Sequence, residues 1–136
     1  MTTYAEAAAR PPEWWDEWVA NWAQGDRQVG FVATAERRPV GLVGGYREAE
    51  SEPDVVNLIS MWVAPEARGQ GLGAALTNAV VGWAREKGAR LVRLSVTTSN
   101  AEAIRLYERC GFRHTGVVET LRPGETLRAE RMEREP

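Results

Sequence analysis

The stretch Val55–Gly88 constrains the fold most, because its hydrophobic period changes once and does so across a glycine-rich turn. Val55 to Val63 is rich in β-branched and aromatic residues and reads as a strand. Pro65 to Gly71 reads as a loop. Leu72 to Lys87 carries Leu76, Val80 and Trp83 on one helical face, with Gly88 where a C-terminal cap belongs. Leu91 to Val96 then alternates apolar and polar residues, the pattern of a half-buried strand. A strand, a helix and a strand in that order predict one parallel pair joined by a right-handed crossover.

The remaining segments fill in around this unit. Trp14, Trp18 and Trp22 recur at helical spacing after Pro11 and Pro12, which predicts a short amphipathic helix ended by Gly25. Val29–Ala35 and Val40–Tyr46 read as strands of a hairpin around a Glu36–Pro39 turn, and Gly41, Gly44 and Gly45 weaken the second or mark a bulge. Asn100 is a good N-cap for a helix from Ala101 to Cys110, stopped by Gly111. Phe112–Leu121 and Thr126–Met132 are two final strands around Pro123-Gly124. The order predicts an α/β (α+β) domain with helices on a mixed, mostly antiparallel sheet. At 136 residues, 43% hydrophobic and 26% charged, the chain is long enough for one domain and one core.

Composition also narrows function. A net charge of −2 lacks the basic field of a nucleic-acid binder. One cysteine, Cys110, and one histidine, His114, rule out an intrachain disulfide and a cysteine zinc cluster, so no metal is expected. No apolar run approaches the roughly 20 residues of a membrane helix, and no secretory signal opens the chain, so no membrane partner and a cytoplasmic location are expected.

The turn before Leu72 carries the chemistry. Glycines let backbone N–H groups approach a bulky anion. The first-turn amides of a helix have no intrahelical partner and sit at the positive end of its dipole. Arg68 adds a full charge on a forked donor. A P-loop fails because no Gly-Lys-Ser/Thr follows. The dinucleotide fingerprint fits Gly69, Gly71 and Ala74 poorly, because Pro65 and its successors separate strand from glycines and no acid stands near Arg90 to hold a ribose. The third pattern, R/Q-x-x-G-x-G/A, is met by Arg68, Gly71 and Gly73.

With that pattern the segment Val63–Gly73 resembles the acetyl-CoA signature of the GCN5-related N-acetyltransferases, the GNAT superfamily. Asn100, Ala103, Tyr107, Gly111 and Phe112 resemble its second motif at the expected spacing, and the likeness runs from about Val29 to the C-terminus. The resemblance implies a twisted, mostly antiparallel sheet with helices on both faces and acetyl-CoA as cosubstrate. Met61, Trp62 and Val63 would lie on a bulged strand that splays from the next and pair with the pantetheine arm. Arg68, Gly69, Gln70, Gly71, Leu72, Gly73 and Ala74 would hold the pyrophosphate, and Asn100 would hydrogen-bond near the pantetheine. Tyr107 would stand beside the thioester sulfur as general acid in a ternary complex, with a strand N–H at Trp62 or Val63 stabilising the oxyanion. Cys110 lies at a helix C-terminus, where a thiolate is disfavoured, and is read as structural, as is His114.

Two departures from the family pattern matter. Val55–Val63 contains no acid, which leaves Glu48, Asp54, Glu119, or a water on Asn57 or Ser60, as candidate bases. Too few residues precede Glu13 for the family's first strand and helix, which would leave an open sheet edge and favour a homodimer. Glu48, Glu50, Glu52 and Asp54 form an acidic loop that would attract a cationic acceptor, either a small-molecule amine or a protein amine. The expected activity is acetyl transfer to a primary amine; the alternative is a non-catalytic acyl-CoA-binding module.

Overall fold

The computed structural model describes residues 27–47, 54–120, 124 and 126–136. The tryptophan helix expected before Gly25, the acidic loop residues Glu48, Glu50 and Glu52, and the expected turn residue Pro123 lie outside them. The described elements are β1 (Gln28–Ala35), β2 (Arg38–Arg47), β3 (Val55–Val63), a 3-10 turn (Pro65–Ala67), α1 (Leu72–Glu86), β4 (Leu91–Thr97), α2 (Ala101–Arg109), β5 (Arg113–Thr120) and β6 (Arg128–Arg134). The six strands form one sheet in the order β1-β2-β3-β4-β6-β5. Only β3 and β4 run parallel, as the crossover through α1 requires. The other four pairings are antiparallel.

Two local features differ from the sequence reading. The β1–β2 turn is only Glu36-Arg37, both at positive φ (50° and 67°), which suits the twist of a two-residue hairpin. Pro39 therefore joins β2, opposite Thr34 at a register shift that accommodates its missing N–H. The last strand runs to Arg134, two residues past Met132, because its ladder with β4 continues to Val92. Its alternating charges gave no apolar signal for that extension.

One face of the sheet carries the main core. Val43, Val56, Val92, Leu94 and Val96 pack with Leu76, Val80, Val81 and Ala84 of α1 and with Tyr107 of α2. On β2 the glycines are there for closeness: a Cβ at Gly45 would lie 2.9 Å from Val80 Cγ1, and one at Gly41 3.0 Å from Leu76 Cδ1. The helix therefore rests directly on the β2 backbone. A smaller cluster of Leu42, Trp62, Ala64 and Ala67 is buried with Val32 and Val40 packed against it. Strand alternation puts Leu42 on the face opposite Val43.

The middle of β3 breaks its alternation. Leu42 pairs with Trp62 but Gly44 pairs with Ile59, so Ser60 and Met61 oppose Val43 alone. This is a β-bulge, and Ser60 takes the positive φ (59°) that it imposes. The extra residue moves Met61 onto the α1 face and sends Trp62 to the other. On its other side β3 pairs with β4 only through Val55–Leu91, Val56–Val92 and Asn57–Arg93. Beyond Asn57 the two parallel strands diverge into a wedge.

No described helix is long and apolar enough to cross a membrane. At the opposite edge His114 contacts Glu108 of α2 through Nε2 at 3.3 Å and Glu130 of β6 through Nδ1. The Glu130 hydrogen bond, then the Glu108 one, raises its pKa above the usual imidazole value. A raised folded-state pKa contributes stability that is complete below the unfolded pKa of about 6.5 and is lost as pH rises through the folded value. The Tm gap between the native chain and His114→Gln should accordingly be larger at pH 5.5 than at pH 9. A gap that does not vary with pH in parallel melts would remove this contribution.

Candidate active site

A cavity of about 460 Å³ opens where β3 and β4 part. Its walls are Met61, Trp62 and Val63 of β3, the turn residues Ala67, Arg68, Gly69 and Gly71, the start of α1 (Leu72, Gly73, Ala74), and Asn100 with one side of α2. Tyr107 and every residue expected to hold the cosubstrate line it, except Gln70. Ala103 of the second motif lines it as well, as do Ala67, Glu102, Leu106 and Arg109, to which the sequence assigned no role. Ala103, Leu106 and Arg109 recur at helical spacing from Asn100, so the α2 periodicity held the signal once Tyr107 was placed.

The turn is shaped for an anion. Gly69 and Gly71 have φ of 78° and 80°, and a Cβ built on either meets nothing within 4 Å, so both border open space. Gly71 is the N-cap of α1 and supplies no side-chain cap; the first bond of the helix is Ala75 N–H to the Gly71 carbonyl, at 3.0 Å. Donors of the first turn are thus left for a ligand. Arg68 is fixed beside them by Nε donating to the Val63 carbonyl at 3.2 Å, which leaves the rest of its fork free of that bond. Open space, uncapped amides and a tethered guanidinium fit a phosphate or pyrophosphate.

Gly73 has another role. A Cβ there would stand 3.0 Å from Leu106 Cδ2, so glycine lets the start of α1 close onto α2. At the head of α2, Asn100 Oδ1 accepts from Ala103 N–H at 3.1 Å. Capping uses the carbonyl end of Asn100; its amide nitrogen carries two further donors.

Tyr107 is buried, 2% exposed, and forms an edge-to-face pair with Phe112 at 5.8 Å between centroids. Burial pushes its phenol well above the usual value, and Cys110 nearby pushes in the same direction. The hydroxyl therefore stays protonated at neutral pH. Burial also raises the Cys110 thiol, against the opposing influence of Arg109, Arg134 and the hydrogen bond it shares with Thr77. Cys110 is a buried thiol, which agrees with its reading as structural.

Among the described residues, none of the candidate bases lines the cavity. Glu48 is outside the described residues. Asp54 stands at the closed end of the wedge, where its carbonyl accepts from Arg90 N–H at 2.7 Å, and roughly 20 Å of strand separates it from Met61. Glu119 is ion-paired with Arg131 at 2.9 Å on β5 and β6. Asn57 forms the last rung of the parallel ladder and Ser60 sits in the bulge. Among the described residues no cluster of histidine, cysteine and carboxylates could hold a metal ion.

The chain matches the model of the acetyltransferase (GNAT) family over residues 2–112. It is 32% identical over 108 residues to an uncharacterised N-acetyltransferase of Methanocaldococcus jannaschii, covering 76% of this chain and 48% of that protein. It is 35% identical over 103 residues to the mycothiol acetyltransferase of Acidothermus cellulolyticus, covering 75% and 32%. The chain thus spans about half the length, or less, of these relatives. Among solved structures, nourseothricin acetyltransferase superposes with a TM-score of 0.73 at 32% identity, over 80% of this chain and 65% of that one.

Removing the Asn100 cap tests whether α2 depends on it. Asn100→Ala should cost about 0.5–2 kcal/mol of unfolding free energy in urea titration. No loss would show that α2 stands without its cap.

Proposed function

The chain belongs to the acetyltransferase (GNAT) family, and on that premise we propose that it transfers the acetyl group of acetyl-CoA to a primary amine, with Tyr107 as general acid. The observation that carries this reading is a buried tyrosine on the wall of a cavity that also borders the uncapped start of α1 and Arg68. Amides of residues 69–74 and Arg68 would bind the pyrophosphate. Beyond Asn57, β3 has no ladder partner on its β4 side among the described residues, so an extended pantetheine arm could lie along Met61–Val63 as an added strand. Asn100 would donate to that arm from its amide nitrogen.

Transfer joins the amine nitrogen to the acetyl carbon and breaks the carbon–sulfur bond. Tyr107 holds a proton for the departing sulfur. Its raised pKa is no obstacle, because a thiolate formed in the same buried site gains proton affinity for the same reason. An N–H of the β3 bulge region, at Trp62 or Val63, would stabilise the oxyanion. The amine nitrogen loses its proton to solvent or to a base, and the acceptor is a small-molecule or protein amine.

Two measurements test the reading. At 100 times its Kd acetyl-CoA should stabilise the chain by about 2.7 kcal/mol, raising Tm by several degrees, while NADPH should not. Gly71→Asp puts a carboxylate in the cradle and should abolish that shift; a retained shift would place the anion elsewhere. Tyr107→Phe should lower kcat for CoA release with an amine panel by about 10²–10⁴-fold and leave the acetyl-CoA shift intact. Binding with no CoA release from any amine would instead favour an acyl-CoA-binding module.

A further inference from the structure

The chain must hold Tyr107 on a helix of only nine residues, Ala101–Arg109, which is too short to be stable on its own. Its head is fixed by the Asn100 cap. Its tail is fastened by a residue from the far end of the chain. Arg134 Nη1 donates to the Cys110 carbonyl at 2.7 Å, a short charge-assisted bond to the C-cap residue of α2. A cation there also opposes the negative end of the helix dipole. Arg134 is itself anchored, since it pairs with buried Val92 in the β4–β6 ladder and its Nε donates to the Glu135 carbonyl at 2.9 Å.

The next residues confirm that this turn is built around the contact. Gly111 has φ of 88°, and a Cβ there would stand 3.3 Å from Arg134 Nη1. Phe112 N–H donates to the Tyr107 carbonyl at 2.9 Å while its ring abuts the Tyr107 ring. The turn that Arg134 pins thus holds both the backbone and the ring of Tyr107. A side-chain tie beside this turn, Glu108 to His114, is exposed at both ends and of the kind that contributes little.

We propose that Arg134 is a positioning residue for Tyr107, fixing the last turn of α2 so that the phenol stays in reach of the reacting sulfur; this rests on the reading of Tyr107 as general acid. Displacement of an acid by about 1 Å costs up to about 10²-fold in rate, so loss of the bond should be read in turnover more than in cosubstrate binding.

The test is a double-mutant cycle on the full chain, with CoA release as readout and melting to confirm folding. Arg134→Met should lower kcat by about 10- to 100-fold while KM for acetyl-CoA stays within about twofold. Arg134→Lys, which can still reach the carbonyl with a charged donor, should recover most of the rate. In the Tyr107→Phe background Arg134→Met should cost nothing further. Should Arg134→Met not fold, Arg134→Gln, whose uncharged amide ends two bonds short of Nη1, takes its place in the cycle. An equal loss in both backgrounds, a rise in KM alone, or a lysine variant as slow as the methionine one would each overturn the positioning role and leave Tyr107 standing. A Tyr107→Phe chain as fast as the native one would overturn the acid and the positioning role together.

Discussion

A three-rung parallel ladder governs this structure. β3 and β4 meet at Val55, Val56 and Asn57 and then part, although both strands continue for several residues. Parallel strands normally stay paired, because backbone groups left without partners are costly. Here the departure is supported from both sides. β4 is held along Val92–Thr97 by β6, and β3 is held by β2 through the bulge at Ser60-Met61. The cavity lies beside the freed end of β3, at Met61–Val63.

The bulge and the helices complete one another. Without the extra residue, Met61 and Trp62 would exchange faces, and the wall of the cavity would carry a different side chain. α1 can start at the mouth of the wedge because Gly41 and Gly45 let it lie close on β2, and α2 can close the cavity because Gly73 gives way to Leu106. Three glycines serve contact and two, Gly69 and Gly71, serve backbone conformation at the anion cradle. The site is thus an outcome of packing as much as of the residues that line it.

Much of this was legible in the chain itself. The strand, glycine turn, helix and strand from Val55 to Val96 read correctly because their periods are strong and glycines, Gly71 and Gly88, bound the helix. Arg68, Gly69, Gly71 and Tyr107 were assigned through the resemblance to the GNAT motifs, and they meet at one cavity, which Gln70 does not line. Pro39 was read into a turn because proline usually marks one, whereas the twist of the hairpin needed only Glu36-Arg37. Arg109 and Glu102 were passed over because a charge on a short helix most often faces water.

The sequence alone determined where elements begin, which face of each is apolar, and which backbone amides could meet an anion, since propensity, period and capping act over a few residues. Tertiary structure alone decided that β6 inserts between β4 and β5, that β3 and β4 separate after Asn57, and that Arg134 reaches the end of α2. Those features depend on pairings between residues far apart along the chain. Local preference cannot rank such pairings, because their free energy arises only when the whole sheet and its helices bury their surfaces together.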